Sequence, residues 1–200
     1  MIEIALWTAV SFLSGSLMFS YWLGRLARHN LRDVGDGNPG ALNLWRAAGY
    51  PYGLTGILLD FLKGFMPVAW LVHTGALTGY EMIPAAAAPI FGHAFSPFLR
   101  GRGGKAIAVT FGVWSALTAF RAALAYAVIL AVLLLGARYL NKGKPTSSES
   151  DAFQVVLGML LLSLYLYMDE FPREVWGFWL VNVLLLVYTH RRELRAVLKV

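Results

Sequence analysis

Two glycine-rich, basic stretches hold the residue types that could do chemistry. The first, VGDGNPGALNLWRAAG from Val34 to Gly49, contains Asp36, Gly37, Asn38, Gly40, Asn43 and Arg46. The second, RGRGGKA from Arg100 to Ala106, contains Gly103, Gly104 and Lys105. Glycine tolerates positive φ, so successive backbone N–H groups can converge on an anion as a nest. A helix opening just beyond the second stretch would add the positive end of its dipole. With the arginines and Lys105 supplying full charge, the two stretches predict a phosphate site. The same pattern also suits a plain turn that carries topology-setting charges. RGRGGKA is not a nucleotide-binding P-loop, because the spacing is wrong and no Ser or Thr follows the lysine. Asp33, Asp36 and Asn38 do not form a calcium loop, since the twelfth position from Asp33 is Leu44.

Four further ionisable residues stand out against apolar surroundings. Asp60 and Lys63, in LLDFLKGFMP, lie three residues apart on one helix face. Charged groups at membrane depth are costly and mark either a function or a partner. Here they are expected to neutralise each other and hold neighbouring helices, with Asp60 ordering a basic loop. His93, in PIFGHAFSPFLRGRGGK, lies a turn or two before the second basic stretch and could be a general base or a phosphate ligand. A single histidine among Phe and Pro is equally the pattern of a packed, hydrogen-bonded side chain. His190 opens the last basic cluster and is open to the same two readings. No Ser-His-Asp spacing and no metal-ligand cluster can be assembled, so neither a metal nor a cofactor is expected.

These residues need elements to position them, and the composition says what kind. Of 200 residues, 58% are apolar and only 14% charged, against about a quarter charged in a soluble domain. With no cysteine, disulfides, thiol nucleophiles and zinc–thiolate sites are excluded. A net charge of +6 would suggest nucleic acid in a soluble protein. In a membrane protein its distribution matters more than its sum, and no nucleic-acid partner is expected. The opening segment has no basic start and is followed by Arg25, Arg28 and Arg32, so it reads as a retained span rather than a cleaved leader.

A helix needs roughly 20 residues to cross the bilayer core. Candidate spans fall at about 3–24, 50–74, 82–99, 104–120, 122–140, 152–168 and 174–190. With seven alternating passes and the N-terminus outside, fourteen of the seventeen basic residues fall on the inside. The exceptions are Lys63, Arg121 and Arg173. The expected fold class is therefore an all-α polytopic membrane helix bundle of about seven helices, N-out and C-in. One integral membrane domain covers 1–200, with polar cytoplasmic loops at about 25–49, 99–105, 141–151 and 190–200. The last ten residues could form an interfacial helix with Leu194, Val197 and Leu198 on one face, or simply a basic tail.

Taken in order, VGDGNPGALNLWRAAG, LLDFLKGFMPV, FGHAFSPFLRGRGGKAIAVTFGV and the His190–Arg191 start of the tail resemble the bacterial acyl-phosphate:glycerol-3-phosphate acyltransferase family over essentially the whole length. The resemblance implies transfer of a fatty acyl group from acyl phosphate to the 1-hydroxyl of glycerol 3-phosphate, giving lysophosphatidic acid and phosphate. It implies an enzyme of phospholipid synthesis in the bacterial inner membrane, active on the cytoplasmic face, without a cofactor. Its partners would be the two substrates and membrane lipids, and a monomer is expected. Residue by residue, Gly37, Asn38, Gly40, Asn43 and Arg46 match the first family motif, with Asp36 at its edge. Gly103, Gly104 and Lys105 match the second, with His93 upstream. Asp60 and Lys63 match a supporting stretch, and His190 the C-terminal motif. Lys105, Arg46 and His93 would be catalytic.

The chain also departs from the family pattern. Asp36 stands where Ser is usual, Leu42 where Thr is, Ala106 and Val109 where Gly and Thr are, and Glu193 where an Asn is. No clear counterpart of the Ser-rich motif lies between the fifth and sixth spans. A carboxylate at position 36 would repel a phosphate by a few kcal/mol if poorly solvated. Acyl transfer to a less anionic acceptor is thus an alternative, as is a non-catalytic lipid- or phosphate-binding protein of the same fold. Transport is disfavoured, because the polar residues crowd one face and no inverted repeat shows.

Overall fold

The computed structural model describes residues 1–197, and among these every regular element is helical. In chain order these are α1 (Ile2–Ser16), α2 (Phe19–Leu26), α3 (Ala41–Ala48), α4 (Tyr50–Thr74), α5 (Met82–Ala94), α6 (Ile107–Leu117), α7 (Arg121–Leu140), α8 (Ser148–Met168), α9 (Arg173–Thr189) and α10 (Arg191–Val197). Short 3₁₀ turns sit at Leu31–Asp33, Gly79–Glu81 and Pro97–Leu99. Among the described residues, five segments are long and apolar enough to cross a membrane: Ile2–Leu26, Tyr50–Thr74, Gly79–Leu99, Arg121–Leu140 and Ser148–Met168. Two other expected spans are shorter. The run at 104–120 contains the 11-residue α6, about 16 Å long at helical rise, and the last contains the 17-residue α9.

The shortness of α6 follows from its place. It lies inside the bundle, with Val109, Thr110, Gly112, Val113, Trp114, Ser115 and Ala116 all buried. A helix apolar all round belongs in a core. Trp114 packs edge-on against Phe178 of α9 at 4.9 Å between ring centroids. Its indole N–H donates to Asn182 Oδ1 at 2.9 Å, so a polar pin crosses the apolar centre. Small residues let α6 approach α4: a Cβ on Gly112 would lie 2.1 Å from the Phe61 carbonyl oxygen. Such contacts bring helices together where lipid removes the hydrophobic drive. By contrast α7 buries only Ala122, Ala123 and Tyr126, near its first turns, and leaves most of its length at the periphery.

Three departures from regular helix shape the polar end of the bundle. The first span breaks between α1 and α2, where Leu17 turns extended. The carbonyls freed there are taken by other elements: Ser96 Oγ donates to Ser16 O at 2.7 Å, and Lys63 Nζ donates to Leu17 O. Irregular backbone at this depth survives only when protein groups satisfy it. Next, α5 stops at Ala94 because Ser96 precedes Pro97 and is held out of the helical region. Last, the stretch 25–49, expected as a loop, contains α3. Its Asn43 and Leu44 are buried, Leu44 against Gly56 of α4, so packing holds a helix of good formers that is too short to be stable alone. The loop 141–151 is also shorter than expected, since α8 starts at Ser148, with Ser147 Oγ accepting from Ser150 N at 3.2 Å. In the tail α10 forms over 191–197, and Leu198 and Lys199 lie outside the described residues.

Candidate active site

A cavity of about 540 Å³ opens at one end of the bundle, where the two glycine-rich stretches meet the start of α10. Three regions far apart in sequence build it: the loop before α3, the loop before α6, and the junction of α9 with α10. Lys105 is its hub. Its Nζ lies 2.6 Å from Asp36 Oδ2 and 2.9 Å from Glu193 Oε1. The other Asp36 oxygen accepts from Asn38 N at 3.1 Å and from Asn43 Nδ2 at 2.8 Å. Asn43 also donates to Asn38 O at 3.0 Å, and Arg46 donates to Asn43 Oδ1 at 3.3 Å. A chain of contacts therefore runs from Arg46 through Asn43 and Asp36 to Lys105 and Glu193.

The acid at position 36 is thus neutralised by its partner rather than left facing the cavity alone. Burial raises the Asp36 pKa, but the hydrogen bond and charge of Lys105, with donors from Asn38 and Asn43, outweigh it. The net result lies below the ordinary 3.8. For Lys105 burial acts downward, and the hydrogen bonds and charges of Asp36 and Glu193 outweigh it, leaving the ammonium above its ordinary 10.5. Both groups are charged at neutral pH. Arg32, Arg102, Arg191 and Arg192 also line the cavity, so with Lys105 five cations face two carboxylates there. The lining therefore stays net positive despite Asp36 and Glu193.

The glycines work differently from the expected nest. Gly103 N–H donates to Ala94 O at 3.0 Å and Gly104 N–H to His93 O at 3.1 Å. Gly37 N–H is likewise taken, by Val34 O at 2.9 Å. These amides are already engaged, so side chains carry the charge that a phosphate would meet. What Gly103 and Gly104 supply is proximity: a Cβ on Gly103 would lie 1.7 Å from His93 O, and one on Gly104 2.4 Å from His93 Nε2. The second loop is thereby laid across the end of α5. Gly40 opens α3 with extended backbone, and a Cβ there would press on the Asn38 amide at 2.9 Å.

Most of the residues singled out from the sequence converge here. Asp36, Gly37, Asn38, Gly103, Gly104 and Lys105 line the cavity. Asn43 and the exposed Arg46 stand one layer back, bracing the loop through Asp36. His93 is buried, with Nδ1 2.8 Å from Lys63 Nζ and Nε2 toward Gly104. Asp60 and Lys63 pair at 2.7 Å in the interior. Ser20 Oγ donates to the second Asp60 oxygen, which ties α2 to α4. His190 is buried as well; its Nδ1–H donates to Leu186 O at 2.9 Å, and its Nε2 finds no partner among the described residues. Arg102, expected to lend charge to the second stretch, does line the cavity, whereas Arg32, Arg191 and Arg192 are not placed at the site by the sequence reading. Their only signal was membership of the basic inside clusters.

Membrane-length helices with a cation-lined cavity at one end of the bundle mark a helical membrane protein. A model of the glycerol-3-phosphate acyltransferase family matches residues 5–200. The chain belongs to that family. It is 40% identical over 194 residues to glycerol-3-phosphate acyltransferase 1 of Thermotoga maritima, covering 95% of both chains. It is 31% identical over 188 residues to the glycerol-3-phosphate acyltransferase of Aquifex aeolicus, covering 94% of this chain and 92% of the other. It is also similar to a crystal structure of PlsY (YgiH), an integral membrane glycerol 3-phosphate acyltransferase, in its glycerol 3-phosphate form. There the TM-score is 0.84 at 28% identity, over 98% of this chain and 92% of that one. The lysophosphatidic acid form of PlsY superposes with a TM-score of 0.81 at 26% identity and the same coverage.

Proposed function

We propose that the chain transfers a fatty acyl group from an acyl phosphate to the 1-hydroxyl of glycerol 3-phosphate, releasing phosphate and lysophosphatidic acid. The observation that carries this is the cavity's charge, five cations against two carboxylates around Lys105. Both substrates bear phosphate, and such a cavity favours both. The forms in which PlsY was crystallised support the acceptor. In the step, the hydroxyl oxygen bonds to the acyl carbon and the bond from that carbon to the bridging phosphate oxygen breaks. The hydroxyl proton leaves on the released phosphate, so no strong protein base is required. Lys105 and the arginines stabilise charge on the departing phosphate, while Asn38, Asn43 and Arg46 shape the loop that receives the acceptor.

The same reading gives the membrane arrangement. Seven passes, with α1 and α2 as one and the short α6 and α9 included, put the loop before α3, the loop before α6 and the start of α10 on one face. That is the cytoplasmic face of a bacterial inner membrane, N-terminus outside and C-terminus inside. One observation favours a second reading: both carboxylates that depart from the family pattern sit on Lys105. An acceptor with less negative charge, or with an amine, would suit that pairing.

The test uses purified protein in lipid with palmitoyl phosphate and labelled glycerol 3-phosphate. Lysophosphatidic acid and phosphate should form in equal amounts, and Lys105→Ala should lower the rate by about 10²–10³-fold, the scale for losing one preorganised transition-state contact. A folded wild type that consumes palmitoyl phosphate only with another acceptor would replace the first reading by the second.

A further inference from the structure

The acyl-transfer reading leaves His93 without a chemical role, and its surroundings supply one. Lys63 Nζ has three acceptors about it: Leu17 O, Asp60 Oδ1 at 2.7 Å and His93 Nδ1 at 2.8 Å. An ammonium has three protons to give and no lone pair. A neutral Lys63 that accepted from His93 Nδ1–H would leave the buried Asp60 carboxylate without a counter-charge, which is strongly unfavourable. Nδ1 must therefore accept. A ring that accepts at Nδ1 is neutral and carries its one proton on Nε2. That nitrogen lies against Gly104, which separates His93 from the cavity wall, and no hydrogen bond from it is found among the described residues.

We infer that Lys63 locks His93 as a neutral Nε2–H donor whose hydrogen bond goes to the carbonyl oxygen of the transferring acyl group. His93 is then an electrophilic catalytic residue and Lys63 a positioning residue. The inference rests on the acyl-transfer reading. A phosphate dianion finds five cations lining the cavity, and one uncharged N–H adds little to them. The acyl carbonyl is different, because it is uncharged in the ground state and gains negative charge only as the acceptor attacks. A neutral donor held in place by a buried network meets that charge without reorganisation. The lock also removes His93 as a general base at Nε2, because that nitrogen has no lone pair to offer.

The experiment has two arms, both on the full chain in lipid bilayers. In the first, protein labelled with ¹⁵N-histidine is studied by NMR, and the signals lost in His93→Gln identify the ring. The wild type should show a bare Nδ1 and a protonated Nε2 at neutral pH. A protonated Nδ1, in the other tautomer or in an imidazolium, overturns the proposal. In the second, steady-state kinetics with palmitoyl phosphate compare His93→Ala with His93→Gln, whose amide N–H can reach the place of Nε2–H. Alanine should lower kcat by about 10²–10³-fold with KM little changed, and glutamine should restore it to within about tenfold of wild type. Equal losses in the two variants, or a loss confined to KM, would reject the donor role. A wild type that makes no product from palmitoyl phosphate would end the acyl-transfer reading and the carbonyl assignment with it, while the spectrum would still decide the tautomer.

Discussion

Two lysines in this chain are each held by acceptors drawn from distant elements, and they differ in one respect. Lys63 has a side chain 1% exposed and three fixed protein partners, while Lys105 is 16% exposed and faces a cavity through two carboxylates. The first ammonium has no capacity left for a substrate. The second is paired with carboxylates at a cavity wall, where an entering anion would compete with them for the ammonium. Number of partners does not separate the roles. What separates them is whether the partners can be exchanged.

The comparison breaks most visibly in Lys63→Met. That substitution leaves the Asp60 carboxylate buried without its cation and releases Leu17 O and His93 Nδ1. The expected cost is about 3–5 kcal/mol of stability, as for removing one partner of a buried pair. Thermal unfolding in detergent should show it, and Lys63→Met combined with Asp60→Asn should recover much of the loss. The Lys105→Ala protein, by contrast, should unfold near the wild-type temperature while losing its rate. If Lys63→Met proved as stable as wild type, the interior pair would not be structural and the contrast between the two lysines would collapse.

How far the sequence discloses each feature depends on how local that feature is. Asp60 and Lys63 share a helix three residues apart, so their pairing follows from periodicity alone. Lys105 and Glu193 are separated by most of the C-terminal half, and nothing in either stretch announces the other. The apolar run at 104–120 reads like every other span because composition cannot tell a buried core helix from a lipid-facing one. The distinction is made by α4, α5, α7 and α9, which pack around it. Likewise α3 is hidden because eight residues between Gly40 and Gly49 are too few to hold a helix alone, and the contact of Leu44 with α4 that supports it is not local. The motifs foretell that these residues cluster, since glycine spacing and basic charge are local. They misassign the work of the glycines, because whether an N–H is free depends on α5 lying within reach. Asp36 is a puzzle in the sequence and is explained by Lys105.

A smaller effect is expected when the exchangeable pairing itself is loosened. Asp36→Asn removes one of the two carboxylates on Lys105 and keeps a similar shape. Less negative charge then competes with the substrate, and KM for glycerol 3-phosphate should fall by about three- to tenfold, roughly 0.7–1.4 kcal/mol. The pH dependence has a definite sign. The Asp36 pKa is depressed in the folded protein, so its contribution to stability is present above its ordinary 3.8 and is lost as pH falls through the lower folded value. The Lys105 pKa is raised, so its contribution is full below its ordinary 10.5 and is lost as pH rises through the higher folded value. Between those limits the pairing should not titrate. Unfolding temperatures across pH should diverge between wild type and Asp36→Asn above the ordinary carboxylate range and converge at strong acid. A divergence that first opened near neutral pH would point to a histidine rather than to this clamp.

The smallest effect belongs to the ion pair at the other end of the bundle. Arg121 opens α7 and Asp169 follows α8, so the order of the helices puts their contact at the end away from Lys105. Arg121 also lies over the Phe171 ring at 4.9 Å, but its side chain is 55% exposed. Solvent screens such a pair, and its contribution is at most about 1 kcal/mol. Arg121→Ala should therefore shift the unfolding temperature slightly and leave the rate within about twofold of wild type. It is the control that shows whether charge matters by sign or by place: the substitution also removes a cation, but from an exposed pair away from the Lys105 cavity. A tenfold loss of rate in this variant would mean that the cationic cavity is held open from across the bundle, and the local account of Lys105 would have to give way to one in which α7 and α8 set the position of α10.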